Sequence, residues 1–287
     1  MNWLLLTILA IMARSTYSLG TKIISRNLMV SPITQSFLLT LTSGILALGC
    51  APLLGGISPA GIQQQTLVII LIIGASVFGN IIYFKGQKFL DTGTTQVAFS
   101  TILIWGAILS VVFLGSDFSL RQCAGIALLL GALILVGYSK KKLALGPGVI
   151  FIVVSAILFA VFQVASAEVS RSLTTGTYLL LSFFGTATTI ALFYFRQLSA
   201  DFKSLLVQLH KTLATTLFAS GTSLLYIIFS FLAYKAAPDR GVVVVLLTSQ
   251  AVLSVFFGII FLRESDNWQR KITAGLLAFL AGILIKS

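Results

Sequence analysis

The sequence is poor in charge. Lys, Arg, Asp and Glu together make up 9% of its 287 residues, whereas soluble domains carry roughly 25%. A chain this apolar cannot cover a water-facing surface, so its outer solvent is predicted to be lipid. The net charge of +12 does not indicate nucleic acid, because the basic residues stand singly or in short groups between apolar runs, as in membrane proteins.

The residues of most enzyme sites are also scarce. There is one histidine, His210, and the two cysteines, Cys50 and Cys123, belong to different apolar runs. The sequence shows no disulfide framework, metal-ligand cluster, glycine-rich phosphate loop or pair of acids at membrane depth. We therefore expect no enzyme, no cofactor and no metal. A channel is disfavoured too, because no filter sequence or repeated charged ring appears.

Long apolar runs dominate what remains. Since about 20 apolar residues cross a bilayer as a helix, and strands of a membrane barrel would alternate instead, we predict an all-α integral membrane protein with ten transmembrane helices. The first run lacks a basic segment before it and is interpreted as a retained helix, not a signal peptide. The predicted spans are 3–22, 33–53, 66–87, 94–114, 119–138, 147–170, 177–195, 211–234, 241–262 and 270–286.

The two halves of the sequence resemble each other. Residues 81–114 align with 229–262 at a constant shift of about 148, and residues 25–28 align with 170–173. Each repeat holds five spans, and five is odd, so the second copy enters the membrane in the opposite direction. The predicted organisation is two inverted five-helix repeats, 1–138 and 147–287, joined by a basic linker, 139–146. Inverted repeats are common in secondary transporters, whose substrate site lies between the halves.

Two passages carry a resemblance to a known family. One is Phe261-Leu262-Arg263-Glu264 followed by Gln269, Gly275 and Gly282; its first-half counterpart is Leu114-Gly115-Ser116-Asp117 with Gln122, Gly125 and Gly131, where the acid is displaced. With ten spans in two halves, the chain resembles the EamA-like branch of the drug/metabolite transporter superfamily over essentially its whole length. The resemblance implies two five-helix bundles that alternately open a central cavity, and it does not name a substrate.

The orientation of the chain is left open by two conflicting indications. If the N-terminus is cytoplasmic, the inside segments hold five Lys and Arg and the outside loops thirteen. The positive-inside rule therefore favours both termini outside, whereas ten-span relatives are usually drawn with cytoplasmic termini.

The sharpest candidate for a site is Arg14, about 11 residues or roughly 16 Å into the first span. No carboxylate lies at mid-membrane, and the small multidrug relatives use a glutamate in their first helix, where this chain has Arg14. An antiporter of organic cations and a carboxylate proton relay are therefore disfavoured. Arg14 is expected either to bind a substrate anion in the cavity or to serve as a structural or interfacial cation.

Other polar and aromatic side chains at membrane depth complete the predicted substrate site. Tyr17 shares a face of its helix with Arg14, and Asn80 shares one with Tyr83. Asn and Gln side chains cannot hydrogen-bond to the backbone of their own helix as easily as Ser and Thr can, so they are the better candidates for substrate binding. The predicted substrate-binding residues are Arg14, Tyr17, Asn80, Tyr83, Gln96, Trp105, Gln163, Tyr226 and Gln250. Two charged connections, with Lys85, Lys88 and Asp91 and with Lys235, Asp239 and Arg240, are interpreted as gates or as interfacial anchors.

These residues predict a plasma-membrane secondary transporter that exports a small polar metabolite, such as an amino acid, by alternating access. A flippase for a lipid or lipid-linked sugar and a multidrug efflux protein are the alternatives. The expected partners are the small-molecule substrate and the lipid bilayer, with no nucleic acid, and the expected state is a monomer or homodimer.

Overall fold

The computed structural model describes residues 2–27, 30–90, 95, 98–137, 146–250, 253–254, 256–257, 261 and 268–286, and within these residues the regular structure is helical throughout. A 3₁₀-helix, Ala51–Leu54, follows the second α-helix. The α-helices are α1 Trp3–Asn27, α2 Pro32–Cys50, α3 Thr66–Gln87, α4 Ile102–Leu114, α5 Leu120–Gly137, α6 Pro147–Val169, α7 Thr175–Phe193, α8 Phe195–Ala236, α9 Arg240–Leu247 and α10 Trp268–Lys286.

Six described segments are long and apolar enough to cross a membrane: Trp3–Ile24, Pro32–Leu54, Thr66–Gln87, Pro147–Val169, Thr175–Phe193 and Thr212–Ala236. Shorter apolar helices lie at Ile102–Leu114 and Leu120–Ala132. The all-helical fold class is confirmed. The count of ten spans and their division into two inverted repeats stay predictions.

Helix starts are marked by capping side chains. Ser31 precedes α2, and its hydroxyl accepts a hydrogen bond from the backbone N–H of Thr34, with Pro32 at the first helical position. Thr174 caps α7 in the same way through the N–H of Thr177. Both satisfy a backbone donor that the helix itself leaves unpaired.

The break predicted before the span at 211–234 is wrong. Residues 195–211 are helical and continuous with that span, giving the 42-residue helix α8, and Tyr194 alone separates α8 from α7. The physical reason is local: no Gly or Pro stands between residues 195 and 220, and Leu205 is buried on the side facing the body.

The spans predicted at 94–114 and 241–262 are also less regular than expected. In the first, turns at Ser100 and Thr101 interrupt the helix before it continues at Ile102; in the second, turns at Thr248 and Ser249 interrupt it after Leu247, and Gln250 is helical again. At the break in the second, the backbone N–H of Thr248 bonds to the carbonyl of Val245 three residues back, and the Thr248 hydroxyl donates to the same oxygen. Such side-chain bonds compete with the helix ladder. Most residues beyond this break lie outside the described part.

The helices pack as closely contacting pairs: α1 with α8, α3 with α6, α5 with α10, α2 with α7 and α4 with α9. Small residues permit this approach, as usual between membrane helices. A Cβ added at Gly20 would lie 2.9 Å from that of Ala219, and one added at Gly125 would lie 2.7 Å from Ile285.

Gly176, in the first turn of α7, is predicted to tolerate no side chain. A Cβ there would lie 2.5 Å from the carbonyl oxygen of Gly56 and 2.6 Å from that of Ala51, and neither backbone oxygen can rotate away. Gly176→Ala should therefore lower the melting temperature of the detergent-solubilised protein. Gly74→Ala is the matched control, because a Cβ at Gly74 meets nothing within 4 Å and alanine is the better helix former. Equal melting temperatures for the two variants would contradict the packing.

The carboxylate of Asp201 joins α8 to the start of α2. It accepts hydrogen bonds from the backbone N–H of Ser31, at 3.1 Å, and from the hydroxyl of Thr34, at 2.7 Å. Burial opposes ionisation, but the hydrogen bonds from Ser31, Thr34 and Gln197 outweigh it and hold the pKa of Asp201 below its ordinary value. The negative charge also suits the N-terminus of a helix.

Because this pKa is lower in the folded state than in the unfolded state, the contribution of Asp201 to stability is present above its ordinary pKa and is lost as pH falls through the folded value. We predict that Asp201→Asn melts at a lower temperature than the parent protein at pH 7. The difference should shrink as the pH is lowered from about 5 towards 3, measured by thermal unfolding in detergent. A difference that is constant across this range would contradict the role of the charge.

Candidate functional site

Arg14, on α1, is surrounded by aromatic rings. Its guanidinium carbon lies 4.9 Å from the ring centre of Tyr17, 5.2 Å from that of Phe159 and 5.1 Å from that of Tyr226. The rings come from α1, α6 and α8, and we call them the aromatic cage. Each such contact stabilises a cation by about 0.5–2 kcal/mol, so the cage offsets part of the cost of holding a charge inside the bundle.

The cage covers the guanidinium without occupying its hydrogen-bond donors. In the described part of the chain, no hydrogen bond or ion pair engages Arg14, which is half-buried. A guanidinium carries five N–H donors in a planar fork that matches a carboxylate or phosphate. The arrangement can therefore bind an oxyanion.

Arg14 and Tyr17 line two adjoining cavities. The larger, of about 40 Å³, is bounded by α1, α2, α3, α6, α7 and α8, with Thr40, Ser43, Ser76, Asn80 and Ser182 among its polar side chains. The smaller, of about 10 Å³, is lined by Thr21, Tyr83, Phe99, Gln250 and Ser254 in addition. One cation with aromatic and hydroxyl neighbours thus lies where helices of both halves of the chain meet.

Two buried amide oxygens near the cage have no hydrogen-bond partner among the described residues. The Nε2 of Gln163, a residue 3% exposed, donates to the Tyr226 hydroxyl at 3.1 Å, while its Oε1 has no such partner. The Oε1 of Gln250 is likewise buried without one. Unpaired buried polar atoms are uncommon in proteins, and Gln250 lines the smaller cavity.

The first half of the chain matches a known family. Residues 1–138 match the sequence model of the EamA-like transporter family. This family is part of the drug/metabolite transporter superfamily, so the expected resemblance is confirmed over these residues. With six described segments able to span a bilayer, the chain is a multi-pass membrane protein.

Solved structures share the fold. One of them, whose description reads "Crystal structure of protein", superposes with a TM-score of 0.72 at 18% identity, covering 98% of this chain and 94% of its own. At this identity the likeness concerns the fold alone. No curated protein matches the chain.

The structure brings most of the predicted site residues together. The larger cavity is lined by Arg14, Tyr17, Asn80 and Tyr226, and the smaller by Tyr83 and Gln250. Gln163 lines neither cavity but donates a hydrogen bond to Tyr226. Trp105 is half-buried in the apolar cluster around Phe99 and Ile102 and lines neither cavity. Gln96 lies outside the described residues. That these residues bind a substrate stays a prediction.

Sequence reasoning missed Phe159 and the small hydroxyl residues of the cavity. A phenylalanine in an apolar span carries no polar signal, and Ser and Thr were expected to bond to their own helices. Thr40 does so, donating to the carbonyl of Ser36 at 2.8 Å. The available signal was spacing: Phe159 lies four residues before Gln163 and therefore on the same face of α6.

Of the two connections interpreted as gates or anchors, the one between α8 and α9 is held by hydrogen bonds and an ion pair to neighbouring helices. The guanidinium of Arg240 bonds to the carbonyls of Ala167 and Glu168 at the end of α6, at 2.9 and 3.2 Å, and to the Glu168 carboxylate at 3.1 Å. Asp239 accepts hydrogen bonds from Ser116 and from the N–H of Gly241. In the other connection, Lys88 donates to the carbonyl of Val30, whereas Asp91 lies outside the described residues.

The Gln163–Tyr226 bond gives a prediction by double substitution. Tyr226→Phe keeps a ring over Arg14 but removes the acceptor of the Gln163 amide, and leaving a buried donor unpaired costs about 1–3 kcal/mol. Adding Gln163→Leu removes both partners, so the double variant should recover most of the lost stability. Thermal unfolding of the parent, both single variants and the double variant in detergent measures the coupling. Strictly additive losses would rule the interaction out.

Proposed function

We propose that this EamA-like protein is a secondary transporter that exports a small polar metabolite carrying an anionic group, such as an amino acid, across the plasma membrane by alternating access. The observation that carries the proposal is the caged Arg14, which has no hydrogen bond to the described residues and lies at the junction of two cavities between the halves of the chain.

The chemistry of the cavities favours an anion, and specifically one that also donates hydrogen bonds. A carboxylate can bond to the Arg14 fork in a bidentate manner, strengthened by the low dielectric of the membrane interior. The Oε1 of Gln250, which has no hydrogen-bond partner among the described residues and lines the smaller cavity, suits an ammonium group of the same molecule. An organic cation would meet the unneutralised charge of Arg14, so multidrug efflux of cations is disfavoured.

The pattern of helix contacts supports the two-repeat architecture that alternating access requires. If each helix of the first half (α1–α5) is replaced by its counterpart in the second half (α6–α10) and the reverse, the α1–α8 pair becomes α6–α3. In the same way, the α4–α6 pair becomes α9–α1. All four of these helix pairs are in contact. The pairs α2–α7, α4–α9 and α5–α10 map onto themselves under the same exchange. This is the pattern that an approximate two-fold axis between residues 1–138 and 147–287 would produce.

The small size of the cavities supports a movement of the halves during transport. Sites for drug-sized ligands measure about 300–1,000 Å³, whereas these cavities measure about 40 and 10 Å³. An amino acid therefore enters only if the helices separate. Arg14 belongs to the first half and the rings of Phe159 and Tyr226 to the second, so this separation loosens the cage and turns the guanidinium towards the incoming anion.

The test is transport by the purified protein in vesicles, with amino acids loaded inside and their release followed. Arg14→Gln removes the charge, and a lost hydrogen bond to a charged group is worth about 1.5–3 kcal/mol, so substrate affinity should fall about 10- to 100-fold. Arg14→Lys keeps the charge but not the fork and should fall between the parent protein and Arg14→Gln.

A thermal-shift measurement in detergent provides the control for substrate chemistry. Each amino acid is compared with the amine that lacks its carboxylate, and only the acid should raise the melting temperature of the parent protein. The exposed variant Arg121→Gln should behave like the parent. Two results would contradict the role of Arg14 in binding a carboxylate: unchanged release of amino acids by Arg14→Gln, or a rise in melting temperature with the amines equal to that with the acids. Transport of a fluorescent lipid-linked sugar in place of amino acids would favour a flippase.

A further inference from the structure

The first 17 residues of α8, Phe195–Lys211, precede the membrane span Thr212–Ala236 and belong to no predicted function. We call them the lateral segment. Two faces of the protein define its position. At the Asp239 face, α6 ends and α8 ends, because Arg240 contacts the last carbonyls of α6; α7 begins there too, because its cap Thr174 follows α6 by five residues.

The lateral segment therefore starts and finishes at the opposite face. Helix α7 begins at the Asp239 face and crosses the membrane, so its last residue, Phe193, reaches the other side. The span Thr212–Ala236 returns to the Asp239 face, so Thr212 also lies on that other side. We call it the Ser31 face, because Asp201 of the lateral segment contacts Ser31 and Thr34 at the start of α2.

Contacts with α2 show that the lateral segment does not continue the line of the span. Asp201 contacts Thr34, and Ser220 bonds to the carbonyl of Leu39. At 1.5 Å per residue, α8 rises about 28 Å between its two contact points, whereas α2 rises only about 8 Å between Thr34 and Leu39. Helices lying side by side would rise equally, so the lateral segment crosses the end of α2 instead of running alongside it.

The exposed side of the lateral segment is amphipathic. At about 100° per residue, Phe195, Phe202 and Leu206 form one stripe within about 40°, and they are 68%, 55% and 54% exposed. The exposed Leu192 and Phe193 at the end of α7 extend this apolar surface.

Two basic side chains of the lateral segment lie along one side of this stripe. Arg196 and Lys203 lie about a quarter turn away and are exposed, with Val207 as an apolar exception on their side. The acid of the segment, Asp201, is turned towards α2 and held there. Basic residues beside an exposed Phe and Leu stripe are the signature of a helix that lies in the membrane interface.

We propose that the lateral segment binds anionic phospholipid, with Phe195, Phe202 and Leu206 inserted among the acyl chains and Arg196 and Lys203 on the headgroup phosphates. Charge complementarity is the argument for an anionic lipid as the partner. The described basic residues of the segment are exposed, while its acid is turned towards α2 and hydrogen-bonded there, so a negative surface is the one that fits.

The first experiment adds phosphatidylglycerol or phosphatidylcholine to the full-length protein in detergent and follows its melting temperature. Phosphatidylglycerol should raise it by about 4 °C more than phosphatidylcholine, and inorganic phosphate should not. The double variant Arg196→Gln, Lys203→Gln should lose at least half of this difference. The double variant Arg121→Gln, Arg171→Gln removes the same charge at the Asp239 face and should retain it. Equal loss in both double variants, or no preference for phosphatidylglycerol, overturns the proposal.

The second experiment tests burial in lipid on a protein whose Cys50 and Cys123 are replaced by Ala. Phe202→Cys lies on the apolar stripe, whereas Ser204→Cys lies on the opposite side of the helix and is exposed. With a charged maleimide on both sides of the membrane of phosphatidylglycerol vesicles, Ser204→Cys should react at least tenfold faster than Phe202→Cys, and in detergent monomers the difference should shrink. Equal rates in vesicles, or protection of Phe202→Cys through dimers that persist in detergent, overturn the proposal.

Discussion

A positive charge held inside a lipid-surrounded bundle is the constraint on which the rest of this structure depends. Placing an arginine at the centre of a transmembrane helix costs about 2.5–3.5 kcal/mol. Among the described residues, no carboxylate forms an ion pair with Arg14. Three aromatic faces offset a comparable amount at about 0.5–2 kcal/mol each. The two terms nearly balance, so a bound oxyanion would change the energy of the site substantially.

The cage also couples the charge to the arrangement of the helices. Tyr17 moves with Arg14 because both lie on α1, whereas Phe159 and Tyr226 lie on α6 and α8. Any movement of α1 relative to those helices exposes the guanidinium and raises its energy, unless an anion takes the place of the lost rings. A ligand that binds one arrangement better than the other shifts the population towards it by that difference in affinity. The cage supplies such a difference without a titrating acid.

How much of this could be read from the sequence depends on the range of each signal. Hydropathy found the helices because it is local and repeated over many residues, and Arg14 with Tyr17 stood out because a charge in an apolar run is improbable. Phe159 could not be found, since its role arises from the approach of α6 to α1 and nothing in its own neighbourhood marks it. The loop expected before residue 211 was wrong because low hydropathy was equated with a break, whereas Asp201 and Leu205 tie that stretch to the body as a helix.

The positions of the helix ends bear on the orientation of the chain in the membrane. The start of α1 lies at the Asp239 face, because its end is close in sequence to Ser31, and the end of α10 lies there too, since Gln122 at the start of α5 donates to the carbonyl of Ile285. The basic lateral segment lies at the other face. Anionic lipid is concentrated in the cytoplasmic leaflet, so binding of such lipid by Arg196 and Lys203 would make the Ser31 face cytoplasmic and put both described ends outside. The charge count leads to the same orientation, and the lateral segment gives that count a structural cause.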